Sequence, residues 1–334
     1  MPVCSGRRER SRSIERGRAL RHSRAMRSRL TALAVLALAG CTGPTPGAGE
    51  VGFWTPQPVG GATEPSVVVK DAPASDWRPV APENLLLMDL ADGARVAIEL
   101  APDFAPVHVA NIRALARAGW WNGAKVYRVQ DNYVAQWGVN EAPTPLPSGV
   151  VKAPPAEYTR PLAALAPRAL AFPDSYAART GHADGWPIAW NPASGEAWLT
   201  HCYATVGVGR DLAPDTGTGG ELYAVIGHAP RHLDRNIAVV GRVIDGIDAL
   251  AARPRGREAL GFIKDEANQA GIARVRLATD LPAAERPRYE VMRTDSDSFA
   301  RYVAGRANRG GTFFNLPAGG VDVCNVQVPV RKAG

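Results

Sequence analysis

Cysteine is scarce in this sequence, with four residues among 334, at positions 4, 41, 202 and 324. No two of them form a Cys-x-x-Cys motif, and no group of cysteines and histidines has the spacing of a zinc site. His201 and Cys202 are adjacent, but neighbouring residues of a strand point to opposite faces, which argues against a shared metal or redox site. We therefore expect neither a metal nor another cofactor.

Excess positive charge is absent from most of the chain. The formal net charge is +7, but residues 1–40 contain ten arginines and two glutamates. Beyond residue 40 there remain 29 of the 39 basic residues and 30 of the 32 acidic residues, so this part carries a charge of −1. A protein that binds the phosphates of nucleic acid needs a basic surface. The charge distribution therefore argues against a nucleic-acid partner.

The apolar run near the N-terminus is short. Leu30–Ala39 follows the basic segment Met26–Arg29, and its length is insufficient for a helix that stays in a bilayer. A short basic segment followed by a short apolar segment is typical of a leader peptide. We assign residues 1–40 to such a leader, with Met26 as the more natural start.

The leader ends in Leu38–Cys41, which resembles the lipobox of bacterial lipoproteins. The resemblance implies that Cys41 is acylated and becomes the mature N-terminus. It also implies sorting to the outer membrane, because the residue after the cysteine is Thr42 and not the aspartate that prevents such sorting in the lipoprotein family. We expect a lipid-anchored protein on the periplasmic side of the cell envelope, with a plain secretory signal as the alternative.

Two cysteines remain beyond the leader and the lipobox, Cys202 and Cys324. Disulfides form and persist in oxidising compartments such as the periplasm, so the two residues are candidates for a bridge. The alternative is a pair of buried free thiols, each acting as a small apolar side chain. Both interpretations are open at the level of sequence.

Residues 41–83 are rich in proline, glycine, alanine and threonine, which is typical of a tether. Within them, Ser66–Lys70 predicts one short strand. Regular structure is expected from Asn84 onward, where two apolar runs joined by Asp92-Gly93 predict a β-hairpin. Residues 101–119 then predict a helix with a proline in its first turn and a glycine at its end.

The stretch 122–138, NGAKVYRVQDNYVAQWG, alternates apolar and polar residues like a strand with one buried face. Arg128 and Gln136 do not suit a hydrophobic core. We therefore expect both side chains to point away from the core.

Residues 141–200 are rich in proline and predict an irregular insert that ends near Trp198, where strands resume. A C-terminal extension from residue 282 to 334, packed on the domain, predicts a helix near Ser296–Arg306 and a strand near Val321–Val330. Many strands, two short helices and frequent turn residues indicate a mainly β fold. The expected architecture is a closed antiparallel barrel with helices over its ends.

The order of these motifs resembles the cyclophilins, a family of peptidyl-prolyl cis-trans isomerases. The resemblance covers residues 84–281, interrupted by the insert, and is strongest in LDRNIAVVGRVIDGID at 233–248. It implies an eight-stranded antiparallel barrel capped by two helices. It also implies binding of proline-containing polypeptides, and we expect the protein to be a monomer.

The resemblance assigns the site position by position. Arg128 corresponds to the catalytic arginine, and substrate binding is implied for Tyr133, Val134, Gln136, Glu221, Tyr223, His232 and Leu233. Several positions depart from the family pattern. Val206 and Gly207 replace an Ala-Asn pair, Glu221 a glutamine, His232 a tryptophan or other large residue, and Ile237 a histidine.

The implied chemistry lowers the barrier to rotation about an X-Pro amide, which is about 18–20 kcal/mol for peptide bonds. A fixed cation such as Arg128 stabilises the twisted amide, in which the prolyl nitrogen regains its lone pair, more than the planar ground state. The predicted function is isomerisation of X-Pro bonds in periplasmic or outer-membrane clients.

The alternative is a cyclophilin-like module that binds proline-containing segments or an envelope partner without turnover. Glu221 discriminates between the two functions, because a carboxylate locked to Arg128 would blunt the field of the cation. An insert that filled the groove would also favour the binding module.

Overall fold

The computed structural model describes residues 62–139, 145–310 and 313–333. Its helices are α1 (Pro65–Asp71), α2 (Pro106–Arg117), α3 (Ile247–Ala251) and α4 (Asp297–Ala307). Its strands are β1 (Trp77–Pro79), β2 (Leu85–Leu90), β3 (Arg95–Leu100), β4 (Lys125–Val129), β5 (Val134–Gly138), β6 (Arg160–Pro161), β7 (Arg168–Ala169), β8 (Arg179–Ala183), β9 (Trp186–Asn191), β10 (Glu196–Leu199), β11 (Thr205–Val208), β12 (Leu222–Val225), β13 (Val239–Asp245), β14 (Ala270–Leu277), β15 (Tyr289–Met292) and β16 (Val330–Lys332).

Eight strands close into an antiparallel barrel in the order β11-β12-β5-β4-β14-β2-β3-β13. This confirms the predicted fold class. The first hairpin, β2–β3, turns at Asp92-Gly93, where the Asp92 carboxylate accepts a hydrogen bond of 3.1 Å from the Ala94 backbone N–H. Gly93 has a φ of +90°, which a residue with a side chain adopts only under strain.

Apolar side chains from the strands and α2 fill the barrel. Trp121, Trp137 and Met88 lie in it, and Val109, Ile112 and Leu115 of α2 cover one end. These three helix positions lie on one face at the spacing expected for a half-buried helix. α2 begins at Pro106 and ends at Arg117, in agreement with the predicted helix.

Strand β2 is buried on both faces. Leu86 and Met88 point into the barrel, whereas Leu85 and Leu87 belong to a second, outer core. A run of apolar residues without alternation is the sequence pattern of such a strand. The outer core is completed by a terminal layer made of α1, β1, β15, α4 and β16, in which β1, β15 and β16 form a three-stranded sheet.

The predicted strand Ser66–Lys70 is wrong, because these residues lie in the helix α1. Its three consecutive valines favour a strand, but Pro65 suits the first turn of a helix, and Val68 is buried in the outer core. α1 packs on α4 where Gly305 leaves room for the backbone of Thr63. Tertiary packing thus overrides local preference.

Part of the predicted tether is folded. Residues 62–83 form α1 and β1 and contribute Val68, Trp77 and Val80 to the outer core. Residues 41–61, the leader and Cys41 lie outside the described residues. In the part of the chain that the structure describes, no helix has the length and apolarity needed to cross a membrane.

The prediction of an irregular insert is wrong for most of its length. Residues 160–199 contain a five-stranded sheet in the order β6-β10-β9-β8-β7, whereas residues 145–159 form no helix or strand. Ile188, Trp190 and Leu199 from this sheet pack on Phe104 and Val239, outside the barrel. The turn between β8 and β9, Asp184-Gly185, has positive φ at both residues and is a typical hairpin signal.

The C-terminal extension contains the predicted helix, observed as α4, whose first turn is capped by Ser296 through a 3.1 Å hydrogen bond from the Phe299 N–H. The predicted strand near Val321–Val330 is wrong for most of its length, since only Val330–Lys332 forms a strand. Cys202 and Cys324 form a disulfide across 122 residues of sequence. The bridge fastens the extension to the segment that precedes β11.

Candidate active site

An irregularity in the pairing of β4 and β5 builds the centre of the site. Arg128 faces Gln136 across the two strands, and the register shifts between Val126 and Arg128, so that Tyr127 is an extra residue. A bulge of this kind turns neighbouring side chains towards one place. As a result, both Tyr127 and Arg128 reach the side chain of Gln136.

The guanidinium of Arg128 is held from three directions. Nη1 donates to Oε1 of Gln136 at 2.9 Å, Nη2 to Oε1 of Gln130 at 2.6 Å, and Nε to the carbonyl of Leu260 at 2.8 Å. These bonds use three of the five guanidinium N–H groups. No acceptor among the described residues binds the other two, so the cation is held in place while two of its N–H groups stay unbonded.

Two aromatic rings flank the same guanidinium. Its central carbon lies 5.9 Å from the ring centroid of Tyr133 and 5.6 Å from that of Phe262. Cations are attracted to ring faces at this distance. Burial lowers the pKa of Arg128, and the neighbouring tyrosines oppose this shift. Arginine nevertheless remains charged at physiological pH.

Glu221 does not pair with Arg128. Its Oε2 accepts hydrogen bonds from the hydroxyl of Tyr127 at 2.7 Å and from Nε2 of Gln136 at 3.1 Å. Burial, and next the bond to Glu221, raise the pKa of Tyr127, so its hydroxyl stays protonated and donates. The carboxylate therefore orients the Gln136 amide, with its oxygen towards Arg128, rather than neutralising the cation.

An apolar cluster lies beside Arg128, and we call it the proline pocket after the role that the family resemblance implies for its residues. It is formed by Val134, Tyr223 and Val225, which are buried, and by Tyr133, Leu233 and Ile237, which are partly buried. His232 is exposed at the rim, where its ring stacks on that of Tyr133 at a centroid distance of 6.0 Å. Five of the seven substrate-binding positions implied by the sequence thus lie at this pocket. The other two, Glu221 and Gln136, lie beside Arg128.

Gly207 and Tyr223 account together for one departure from the family pattern. They face each other on β11 and β12, and a Cβ added to Gly207 would lie 2.3 Å from the Tyr223 hydroxyl oxygen. The Tyr223 ring occupies the space that a larger residue would need at position 207. Its hydroxyl bonds Nε2 of His201 at 2.9 Å, and Nδ1 of His201 lies 3.0 Å from Oδ1 of Asp234.

The site opens into a groove of about 1050 Å³. Arg128, Gln136, Glu221 and Tyr223 line it, together with Phe262 from the segment after α3. None of the described insert residues lines this groove. Among the residues that the structure describes, no group of three or more His, Cys, Asp or Glu side chains could hold a metal ion.

Sequence reasoning missed several residues of the site. Tyr127 and Gln130 lie close to Arg128 in the quoted stretch but look like ordinary strand residues. Leu260 and Phe262 lie 132 and 134 positions further along the chain. The only local signal at the latter is Gly261, whose φ is +80° and which packs on the backbone of Gln130. Strand alternation argues against a role for His201, yet this residue lies outside the strands, between β10 and β11, and is fully buried.

Comparison with known proteins identifies the family. The sequence model of the family described as "Cyclophilin type peptidyl-prolyl cis-trans isomerase/CLD" matches residues 85–260. Proteins of Brucella suis and Brucella melitensis named "Probable peptidyl-prolyl cis-trans isomerase" are 30% identical over 191 residues, which cover 57% of this chain and 79% of each relative.

A solved structure supports the fold over a larger part of the chain. The crystal structure of cyclophilin AquaCyp293 from Hirschia baltica superposes with a TM-score of 0.62 at 24% identity, covering 80% of this chain and 96% of that one. Its coverage extends beyond the segment that the family model matches. With the family model over more than half of the sequence, these comparisons place the chain in the family of cyclophilin-type peptidyl-prolyl cis-trans isomerases.

Proposed function

We propose that this isomerase acts through Arg128 on X-Pro bonds of client proteins in the periplasm or outer membrane. The observation that carries the catalytic part is the guanidinium itself. It is held by three acceptors and keeps two N–H groups for a substrate. It also lies beside the proline pocket, whose apolar side chains suit a proline ring. No carboxylate of the described residues pairs with it.

The reaction follows from this arrangement. The proline ring enters the pocket between Leu233, Tyr223 and Val134, which holds the prolyl side of the bond while the preceding residue rotates. Rotation interrupts amide resonance and returns the lone pair to the prolyl nitrogen. The free N–H groups of Arg128 then bind that nitrogen more strongly than in the planar amide. The transition state is therefore stabilised more than the ground state.

The rest of the site holds the cation in place. Gln136 is locked between Arg128 on one side and Tyr127 with Glu221 on the other, so its amide cannot rotate freely. A preorganised donor gains most when it need not reorient during the reaction. We assign Arg128 as the catalytic residue and Gln136, Glu221, Tyr127 and Phe262 as residues that position it.

The binding module without turnover is less well supported. It would be favoured by an Arg128–Glu221 ion pair and by an insert that fills the groove. The structure has neither feature among its described residues. The departures Gly207 and Ile237 change the lining of the pocket but leave the environment of Arg128 intact.

The activity is tested with the soluble chain from residue 62 to the C-terminus. We expect it to accelerate cis–trans exchange of a short X-Pro peptide over the uncatalysed rate, followed by NMR exchange spectroscopy. Binding of the peptide without acceleration, by a folded protein, would support the binding module instead.

The cellular location rests on the leader and on the disulfide. The lipobox-like segment implies acylation of Cys41, and a Cys202–Cys324 bridge is typical of an oxidising compartment. We expect radioactive palmitate to label the full chain in bacterial cells, and Cys41→Ser to abolish the label and release the protein from the membrane fraction. Unchanged labelling of the Cys41→Ser variant would contradict the anchor.

A further inference from the structure

A chain of buried charged groups starts in the insert, outside the barrel. The carboxylate of Asp174 accepts two hydrogen bonds from the guanidinium of Arg231, at 3.0 and 3.3 Å. Arg231 in turn donates through Nε to Oδ2 of Asp234. The side chains of Asp174, Arg231 and Asp234 are 3%, 2% and 5% exposed, so all three are removed from solvent.

The same chain continues to the floor of the proline pocket. Oδ1 of Asp234 accepts a 2.9 Å bond from the His201 backbone N–H and lies 3.0 Å from its Nδ1. Nε2 of His201 bonds the Tyr223 hydroxyl at 2.9 Å. A series of hydrogen-bonded side chains therefore joins the insert to the ring on which a proline would rest. Its members, in order, are Asp174, Arg231, Asp234, His201 and Tyr223.

This arrangement of carboxylate, histidine and hydroxyl resembles a nucleophilic triad in order, but its chemistry differs. Tyr223 is buried, and burial raises the pKa of its hydroxyl, so that it remains protonated. Burial alone would raise the pKa of Asp234, but the interactions with His201 and Arg231 outweigh it. The pKa of Asp234 is therefore lowered, and the carboxylate stays charged. The carboxylate, the imidazole and the hydroxyl are buried and bonded to one another, so they do not act as a nucleophile and its base.

The position of these groups in the fold shows what they hold. Arg231 begins the short 3-10 turn Arg231–Leu233, which carries Leu233 into the pocket wall and His232 to its rim. At the other end, the hydrogen bond between the Tyr223 hydroxyl and Nε2 of His201 fixes the Tyr223 ring above Gly207. Two sides of the proline pocket are thus attached to one buried network.

We propose that Asp174 of the insert, acting through Arg231, Asp234 and His201, is a positioning residue that sets the width of the proline pocket and hence its affinity for substrate. The inference rests on the proposed function of the pocket. It gives the insert a role in substrate binding although no described insert residue lines the groove. Arg128 is outside the network, so loss of Asp174 should weaken binding and leave the chemical step intact.

The test compares two variants that each remove one buried negative charge with little change in volume. Asp174→Asn breaks the proposed network. Glu99→Gln is its matched control, because Glu99 is 4% exposed and pairs with Arg78 and Arg242 away from the pocket. Both variants lose stability, since a buried arginine loses its partner. We expect only Asp174→Asn to raise KM, roughly ten-fold, with kcat within about two-fold of the wild type.

A second measurement cuts the network at its other end. Tyr223→Phe keeps the ring and removes the hydroxyl that His201 binds. We expect it to weaken binding as Asp174→Asn does, and the double variant to be no weaker than the more affected single one, because both changes break one connected unit. Asp174→Glu, which keeps the carboxylate, should recover part of the affinity.

Peptide binding measured directly by titration keeps this test separate from catalysis. If the wild type binds the peptide but does not accelerate exchange, the proposed function fails, whereas the Kd values of the variants still test the network. An unchanged Kd and KM for folded Asp174→Asn, an equal effect of Glu99→Gln, or additive effects in the double variant would each overturn the inference.

Discussion

Replacing Arg128 by alanine is expected to slow catalysed X-Pro exchange by a factor on the order of 10² to 10³, the effect of removing one preorganised donor from a charged transition state. The loss should fall on kcat, because the proline pocket that binds the ring is formed by other side chains. Arg128→Lys should recover only a small part, since an ammonium cannot reach Gln136, Gln130 and Leu260 at once.

Exchange rates and peptide affinity are measured for the same samples, beside Arg255→Ala. Arg255 pairs with Asp131 at the surface close to the site and lies outside the proposed machinery, which makes it a matched control for the loss of a nearby positive charge. A folded Arg128→Ala protein that kept the wild-type kcat would exclude Arg128 as the catalytic residue.

Gly207→Asn is expected to disable the proline pocket, although asparagine is the usual residue of the family at this position. A Cβ at position 207 would lie 2.3 Å from the Tyr223 hydroxyl and 2.4 Å from the ring carbon that bears it, so the ring must move. The ring packs with Val134 and Val225 and also lines the groove beside Arg128, so the groove is the side towards which it can move. We expect peptide affinity to fall by roughly 10- to 100-fold, with an overpacking cost to stability of about 1–3 kcal/mol.

Peptide titration and thermal unfolding follow both effects. Gly310→Asn serves as the control, because a Cβ at Gly310 meets no atom within 4 Å. Gly207→Asn combined with Tyr223→Leu, which removes the clashing ring, should regain stability but not the original affinity. Wild-type affinity in the single variant would show that Tyr223 does not form the floor of the pocket.

Sequence patterns predicted the parts of this molecule that are governed by local chemistry. Asp92-Gly93 fixed the first hairpin, Pro106 the start of α2, and Ser296 the start of α4, because each residue satisfies or removes a backbone group at that point. The family resemblance drew attention to Arg128 and to the residues of the proline pocket, since both lie in segments with a characteristic order of residues; their roles stay predictions.

The remaining features depend on contacts that are distant in sequence. The carbonyl of Leu260 binds Arg128 because a turn after α3 folds back on β4. No sequence pattern near either residue predicts this contact. Asp174 and Arg231 are 57 positions apart, and each would suit a solvated loop. The helix α1 is a similar case, because its valines favour a strand until α4 provides a surface for them.

The double burial of β2 has a consequence for how the molecule unfolds. Since Leu86 and Met88 belong to the barrel while Leu85 and Leu87 belong to the terminal layer, one strand is shared by two cores. Neither core can lose its packing without exposing a face of that strand, so the two should melt in a single cooperative transition. A chain trimmed to residues 85–260, the part that the family model matches, would lack β14 and the terminal layer, so Leu85 and Leu87 would be exposed. We expect such a chain to aggregate rather than to act as a minimal isomerase.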